Sequence, residues 1–208
     1  MMVSALIERE QENMANPIRN GVFIAVVGPS GAGKDTVIAY AREHLGDDSD
    51  VRFVRRVITR PCDGASEHHD TLDDVAFAEA AAAGAFALTW EAHGLKYGIP
   101  ADVDVAIANG RVVIANGSRT ALPALRARYE NVVVVEIVAR PEILAERLAR
   151  RGRESRGEVL ARLARAADVT IAGPGVVTID NSGEREIAGR DFVAVIGKAI
   201  AFSDVGRF

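Results

Sequence analysis

The chain has 208 residues, 49% of them apolar and 26% charged, with a formal net charge of −4. That excludes a disordered chain and leaves enough length for one domain with a real core. The acidic balance argues against a nucleic-acid coat, so no nucleic acid is expected as a partner.

In chain order, residues 1–20 are too polar for a secretory leader and read as a mobile tail. A single domain is expected over 21–208. Apolar runs predict strands at Val22–Val27, Val51–Ile58, Arg111–Ala115, Val132–Val138 and Val176–Ile179. Helical periodicity predicts helices over Asp35–Leu45, Asp73–Ala83, Ala101–Asn109, Thr120–Tyr129, Pro141–Arg150, Glu158–Ala167 and Glu184–Ile200. The alternation predicts an α/β fold, a parallel sheet with helices on both faces. Two polar stretches break it. "TRPCDGASEHHD" (Thr59–Asp70) opens a substrate arm over about 59–99, and "RRGRESRG" (Arg150–Gly157) is a basic lid. Cys62 is the only cysteine, which fits a reducing cytoplasm. No apolar run reaches the roughly 18 residues of a membrane span, so no membrane is expected. A homodimer is compatible with the sequence, but no motif encodes one.

The stretch that carries chemistry is "VFIAVVGPSGAGKDT", Val22–Thr36. A strand, a glycine-rich loop and a helix start follow one another. Loop residues Gly28, Pro29, Ser30, Gly31, Ala32 and Gly33 are expected to turn backbone N–H groups toward phosphate oxygens. Lys34 reaches the β- and γ-phosphates of a nucleoside triphosphate. Lysines are otherwise scarce, with only Lys96 and Lys198 besides. The remaining cations are arginines, whose planar fork suits phosphate.

The residue after Lys34 departs from the G-x-x-x-x-G-K-[ST] pattern: it is Asp35. A carboxylate is a good hard ligand for Mg²⁺, so Asp35 is expected to contact that ion, directly or through water. The alternative is a plain helix-start acid. Thr36 offers a hydroxyl to the α-phosphate. A neighbouring strand, where an acid often serves the metal, ends in Asn116. One carboxylate is missing and one is added, as if the anionic partner of the metal had moved.

Together "GPSGAGK", "TRP", "HGLKYG", "RRGRES" and "RLARAA" resemble the guanylate kinase superfamily over roughly residues 21–200. Two departures matter. Arg60 matches the first of two acceptor-phosphate arginines, but Asp63 stands at the second. Leu88 stands where a glutamate would read guanine, and a leucine cannot accept its hydrogen bonds. The detailed pattern is similar to the ribose 1,5-bisphosphate phosphokinase family: "GPSGAGKD", "ITR", "SEHH", "LTWEAHGLKYG", "NGSR", "RARY" and "RGRES". Asp35 and Asn116 both belong to that pattern.

The resemblance implies transfer of the ATP γ-phosphoryl group to the 1-phosphate of ribose 1,5-bisphosphate, a small sugar phosphate. That acceptor, with a second pKa near ~6, is already ionised at neutral pH and needs no general base. The transfer does need positive charge. Catalytic candidates are therefore Lys34, Arg147, Arg151, Arg153 and Arg162. On the substrate side are Arg60, Glu67, His68, Tyr97 and Arg119, with His69 as a further group for sugar hydroxyls. Arg119 either holds the 5-phosphate or caps a turn. "VTIDNSG" resembles the loop that packs on adenine, which makes Asn181 a base contact. Arg150 and Arg156 read as surface residues. Two other readings stay open: a nucleoside monophosphate kinase of altered base preference, and a non-catalytic binding module.

Overall fold

The structure, a computed structural model, describes residues 17–60, 69–92, 94–150, 171 and 173–205. Its first strand, β1 (Val22–Val27), is fully buried. It leads through the glycine-rich loop into α1 (Lys34–Leu45). Then come β2 (Val51–Phe53), β3 (Arg56–Ile58), β4 (His69–Thr71), α2 (Asp74–Ala82), β5 (Phe86–Ala92), β6 (Leu95–Pro100), α3 (Val103–Ala108) and β7 (Val112–Asn116). A 3-10 turn (Arg119–Ala121), α4 (Leu122–Arg128), β8 (Val132–Val138), α5 (Pro141–Ala149), β9 (Val176–Asp180) and α6 (Arg185–Val205) complete it.

The main sheet has five parallel strands in the order β2-β7-β1-β8-β9. Side chains alternate along a strand, so β1 feeds two cores at once. Val22, Ile24 and Val26 pack with Val37 and Ala41 of α1 and with Ala188, Phe192 and Ile196 of α6. Phe23, Ala25 and Val27 pack on the other side with Val103 and Ile107 of α3 and Leu122 and Leu125 of α4. Each fully buried side chain of this size stabilises the fold by roughly 1.5–3 kcal/mol.

The expected strand Val51–Ile58 divides. Val54 N–H makes a last bond to the Ile114 carbonyl of β7 at 2.9 Å, and the chain then leaves the main sheet. Its second half, β3, joins a separate four-stranded sheet of order β4-β3-β6-β5. Strands β5 and β6 form the antiparallel hairpin of that sheet. Phe77 of α2 stacks on Phe86 at 4.8 Å and covers one of its faces. Of the stretch 59–99, expected as a substrate arm, the described residues supply β4, β5, most of β6 and α2.

Residues 17–20, grouped in the sequence with the tail, are anchored at Ile18. Its N–H donates to the Arg128 carbonyl at 2.9 Å, and its carbonyl accepts from Glu130 N–H at 3.1 Å. The expected helix Glu158–Ala167 lies outside the described residues.

Asp104 joins α3 to the end of α4. It accepts from Arg128 Nε at 3.1 Å, from Arg128 Nη2, and from the Tyr129 hydroxyl at 2.7 Å. Tyr129 is 1% exposed, and burial first, then the Asp104 bond, push its phenol well above the ordinary range. Asp104→Ala is expected to destabilise the fold by about 1–2 kcal/mol, because it strands the buried hydroxyl. Glu130→Ala removes only an exposed pair with Arg19 and is expected to cost under about 0.5 kcal/mol. Urea unfolding of both variants checks this; equal shifts would refute the role given to Asp104.

Candidate active site

The glycine-rich loop sits at the carboxyl end of β1, where ligands bind in open parallel sheets. Its glycines have separate reasons. Gly28 has φ 142°, and a Cβ there would lie 2.2 Å from the Ile137 carbonyl oxygen of β8. Gly33 has φ 90°, and a Cβ would lie 2.3 Å from Asn181 Nδ2. No side chain caps α1 at Gly33, which leaves the helix N-terminus to an anion.

The loop is braced through its carbonyls. Lys34 Nζ donates to the Gly28 oxygen at 2.9 Å and to that of Pro29 at 3.1 Å. Asn181 Nδ2 donates to the Ala32 oxygen at 2.7 Å. Arg147 Nη1 donates to the Gly31 oxygen at 3.4 Å and to that of Ala32 at 3.3 Å, while Nη2 reaches the Asn181 oxygen at 2.9 Å. Asn181, read from the sequence as a base contact, is 2% exposed and lies against the loop. Arg147, read as catalytic, lies against the same carbonyls.

A cavity of about 300 Å³ opens beside the loop, lined by Gly31, Gly33, Thr36 and Asn181. Three arginines also line it: Arg147, Arg150 and Arg185. Sequence reading left Arg150 as a surface residue and did not single out Arg185. Arg150 follows α5 and Arg185 opens α6. Their only signal is position at a helix end beside the loop, which appears once the chain is folded.

The two departures from the loop pattern touch each other. Asn116 Nδ2, at the end of β7, donates to Asp35 Oδ1 at 2.6 Å. In the absence of a cation an aspartate at 116 would set two carboxylates face to face, a repulsion that the amide replaces with a hydrogen bond. Among the described residues no three His, Cys, Asp or Glu side chains converge as a metal cage. A single carboxylate beside a phosphate loop suits Mg²⁺, which commonly takes one or two carboxylates and fills its sphere with phosphate oxygens and water.

On the other face of the main sheet Arg119 Nη2 bonds Glu136 Oε1 at 2.7 Å. Glu136 pairs in register with Val27, next to the loop, and its side chain is 13% exposed. Sequence reading missed this partner, because only the β1–β8 register brings it near. Arg60 follows β3, and its carbonyl accepts from the Thr71 hydroxyl at 3.0 Å. Tyr97 stacks on Trp90, centroids 5.2 Å apart, in the second sheet. Glu67, His68, Arg151, Arg153 and Arg162, with the expected lid beyond Arg150, lie outside the described residues. Among the described residues, no helix is long and apolar enough to cross a membrane.

No protein-family profile matches the chain. A ribose 1,5-bisphosphate phosphokinase of Chelativorans sp. is 52% identical over 205 residues, 98% of each chain. One from Brucella melitensis is 56% identical over 164 residues, 79% of this chain and 85% of that one. One from Agrobacterium fabrum is 49% identical over 181 residues, 87% of this chain and 99% of that one. Among solved structures, a guanylate kinase from Anaplasma phagocytophilum superposes with a TM-score of 0.59 at 19% identity, over 86% of this chain and 85% of that one. That likeness shows a shared fold. The near full-length identities go further: the chain belongs to the ribose 1,5-bisphosphate phosphokinase family.

Proposed function

We propose that the protein transfers the γ-phosphoryl group of ATP to the 1-phosphate of ribose 1,5-bisphosphate, giving 5-phosphoribosyl 1-diphosphate and ADP. A complete, braced phosphate loop in a chain 52% identical, end to end, to an enzyme of that name carries this reading. Leu88, partly buried on the second sheet, speaks against a guanine nucleotide as acceptor. A single cysteine and the use of ATP support a reducing, cytoplasmic setting for the reaction.

The acceptor oxygen is already anionic, so the protein has little proton transfer to perform. Its work is to gather polyanions and hold them in line. The loop N–H groups and the N-terminus of α1 take the nucleotide phosphates. Lys34 exchanges its Gly28 and Pro29 carbonyl partners for phosphate oxygens. Mg²⁺, when bound, would supply positive charge that offsets the charge on the migrating group. Asp35, oriented by Asn116, offers it a carboxylate. Arg147 and Asn181 position the loop. Arg150 and Arg185 add positive charge at the cavity rim. Arg119, steered by Glu136, and Arg60 and Tyr97 serve the acceptor. Arg151, Arg153 and Arg162 are assigned to the migrating phosphoryl group on the resemblance alone.

Consumption of ATP with Mg²⁺ is expected with ribose 1,5-bisphosphate and not with guanosine monophosphate; the opposite pattern would overturn the substrate. Asp35→Asn is expected to raise the Mg²⁺ concentration for half-maximal turnover roughly tenfold. An unchanged magnesium dependence would remove Asp35 from the metal. Asn181→Ala is expected to raise KM for ATP by about tenfold, the equivalent of one buried hydrogen bond, with KM for the sugar unchanged. Equal effects on both KM values would mean a general loss of structure.

A further inference from the structure

Strand β8 is an apolar run interrupted by one charge, Glu136. Pleating turns its side chain the same way as Val132 and Val134, toward the core that holds Phe23, Ala25 and Val27. The Glu136 side chain is 13% exposed, and Arg119 Nη2 lies 2.7 Å from its Oε1. Burying such a pair adds little to stability, because apolar side chains would fill the core as well. What the pair does is fix the place of a guanidinium. Capping of the 3-10 turn falls to a different residue: the Ser118 hydroxyl accepts from Thr120 N–H at 3.4 Å. The Arg119 side chain is 31% exposed, so its outer edge is open to a ligand.

Three contacts place this pair at the foot of the phosphate loop. Glu136 pairs in register with Val27, the residue before Gly28. A Cβ on Gly28 would lie 2.2 Å from the carbonyl oxygen of Ile137, the residue after Glu136. Gly117 N–H donates to the Val26 oxygen at 2.8 Å, so the chain leading to Arg119 crosses the end of β1. The Gly28 end of the loop is also its γ-phosphate end. Lys34, which serves the β- and γ-phosphates, has Nζ 2.9 Å from the Gly28 oxygen. Arg150 and Arg185 belong elsewhere, to the cavity lined by Gly31, Gly33 and Thr36. The second sheet closes over the core of the Glu136 face through Leu88 and Trp90.

We infer that Arg119, positioned by Glu136, grips the reacting 1-phosphate of the acceptor and not its 5-phosphate. This rests on the proposed reaction. In that step an oxygen of the 1-phosphate bonds to the γ-phosphorus. The bond from that phosphorus to the β–γ bridging oxygen breaks, and its electron pair leaves with ADP. Attacking and leaving oxygens lie in line on the γ-phosphorus, so the 1-phosphate docks against the Gly28 end of the loop, where Arg119 stands. The 5-phosphate lies across the sugar ring, away from the transfer. Glu136 takes Nη2 of the guanidinium and turns the remaining edge to the phosphate. Arg119 is thus a catalytic residue and Glu136 a positioning residue.

The test uses the full chain, its Arg119→Gln, Arg119→Lys and Glu136→Gln variants, and the Arg119→Gln, Glu136→Gln double variant. Calorimetry with ribose 1-phosphate and with ribose 5-phosphate reads each phosphate without turnover. Wild type is expected to bind both. Arg119→Gln is expected to weaken ribose 1-phosphate at least about tenfold and leave ribose 5-phosphate within about twofold. Arg119→Lys keeps the charge but loses the fork, and is expected to weaken ribose 1-phosphate several-fold. Glu136→Gln is expected to do the same alone, and to add nothing once Arg119 is glutamine. In turnover, Glu136→Gln is expected to lower kcat with ribose 1,5-bisphosphate and leave KM for ATP within about twofold. If Arg119→Gln does not fold, Arg119→Lys decides on the same contrast.

The inference is overturned if wild type does not bind ribose 1-phosphate, or if the arginine variants bind it as wild type does. A loss confined to ribose 5-phosphate would overturn it in favour of the remote phosphate. Equal losses for both sugars and for ATP, together with a fall in melting temperature, would mark a purely structural pair and also overturn it. Additive losses in the double variant would overturn the role of Glu136. Failure of the kinase reading looks different: ribose 1-phosphate still binds through Arg119, yet wild type transfers no phosphoryl group to ribose 1,5-bisphosphate.

Discussion

A loop that aims its N–H groups at a polyanion cannot rely on those same groups to hold its shape. This chain meets the constraint by bracing the loop through its carbonyls. Lys34 takes the oxygens of Gly28 and Pro29, Arg147 those of Gly31 and Ala32, and Asn181 that of Ala32. The braces come from α1, α5 and the turn after β9, three elements distant in sequence. The parallel sheet brings them to one edge. Fold and site are thus linked through a few hydrogen bonds to backbone oxygens, and Gly33 is the position where Asn181 needs the space of an absent side chain.

The two faces of the main sheet divide the labour. On the face covered by α1 and α6, Asn116 orients Asp35 beside the nucleotide loop. On the opposite face Glu136 orients Arg119, and the second sheet closes over the same core. Strand β1 lies between, and the alternation of its side chains sends one set to each core. In the proposed reaction the donor and acceptor sides of the phosphoryl transfer would lie on opposite sides of a single strand, with the loop at its tip between them.

Much of this was legible in the sequence. Val22–Thr36 announces strand, loop and helix because the apolar run, the glycines and the lysine follow in fixed order. Most of the other main-sheet strands are readable for a similar reason, since a strand buried on both faces must be a continuous apolar run. The second sheet is harder. Its strand β3 continues the same run as β2, so composition cannot show that Val54 ends one sheet and Arg56 starts another. The site shows the same boundary. Asp35 and Asn116 each stand out as departures, but their contact spans 81 positions and needs the β1–β7 register. Arg56 and Arg55 are indistinguishable as letters, and only the pleat tells which is buried.

The hydrogen bond between Asn116 and Asp35 also constrains how such a site can change over time. A strand-end aspartate arriving first would face the loop carboxylate at hydrogen-bond distance, two negative charges with nothing between them. A loop serine arriving first would leave the site with no carboxylate at all. Each single step passes through a worse site than either end point, so the order of changes matters and the two positions are expected to travel together. A lineage that had made the exchange would be held there by sign epistasis, and a pair of neutral-looking letters would become a durable marker of descent.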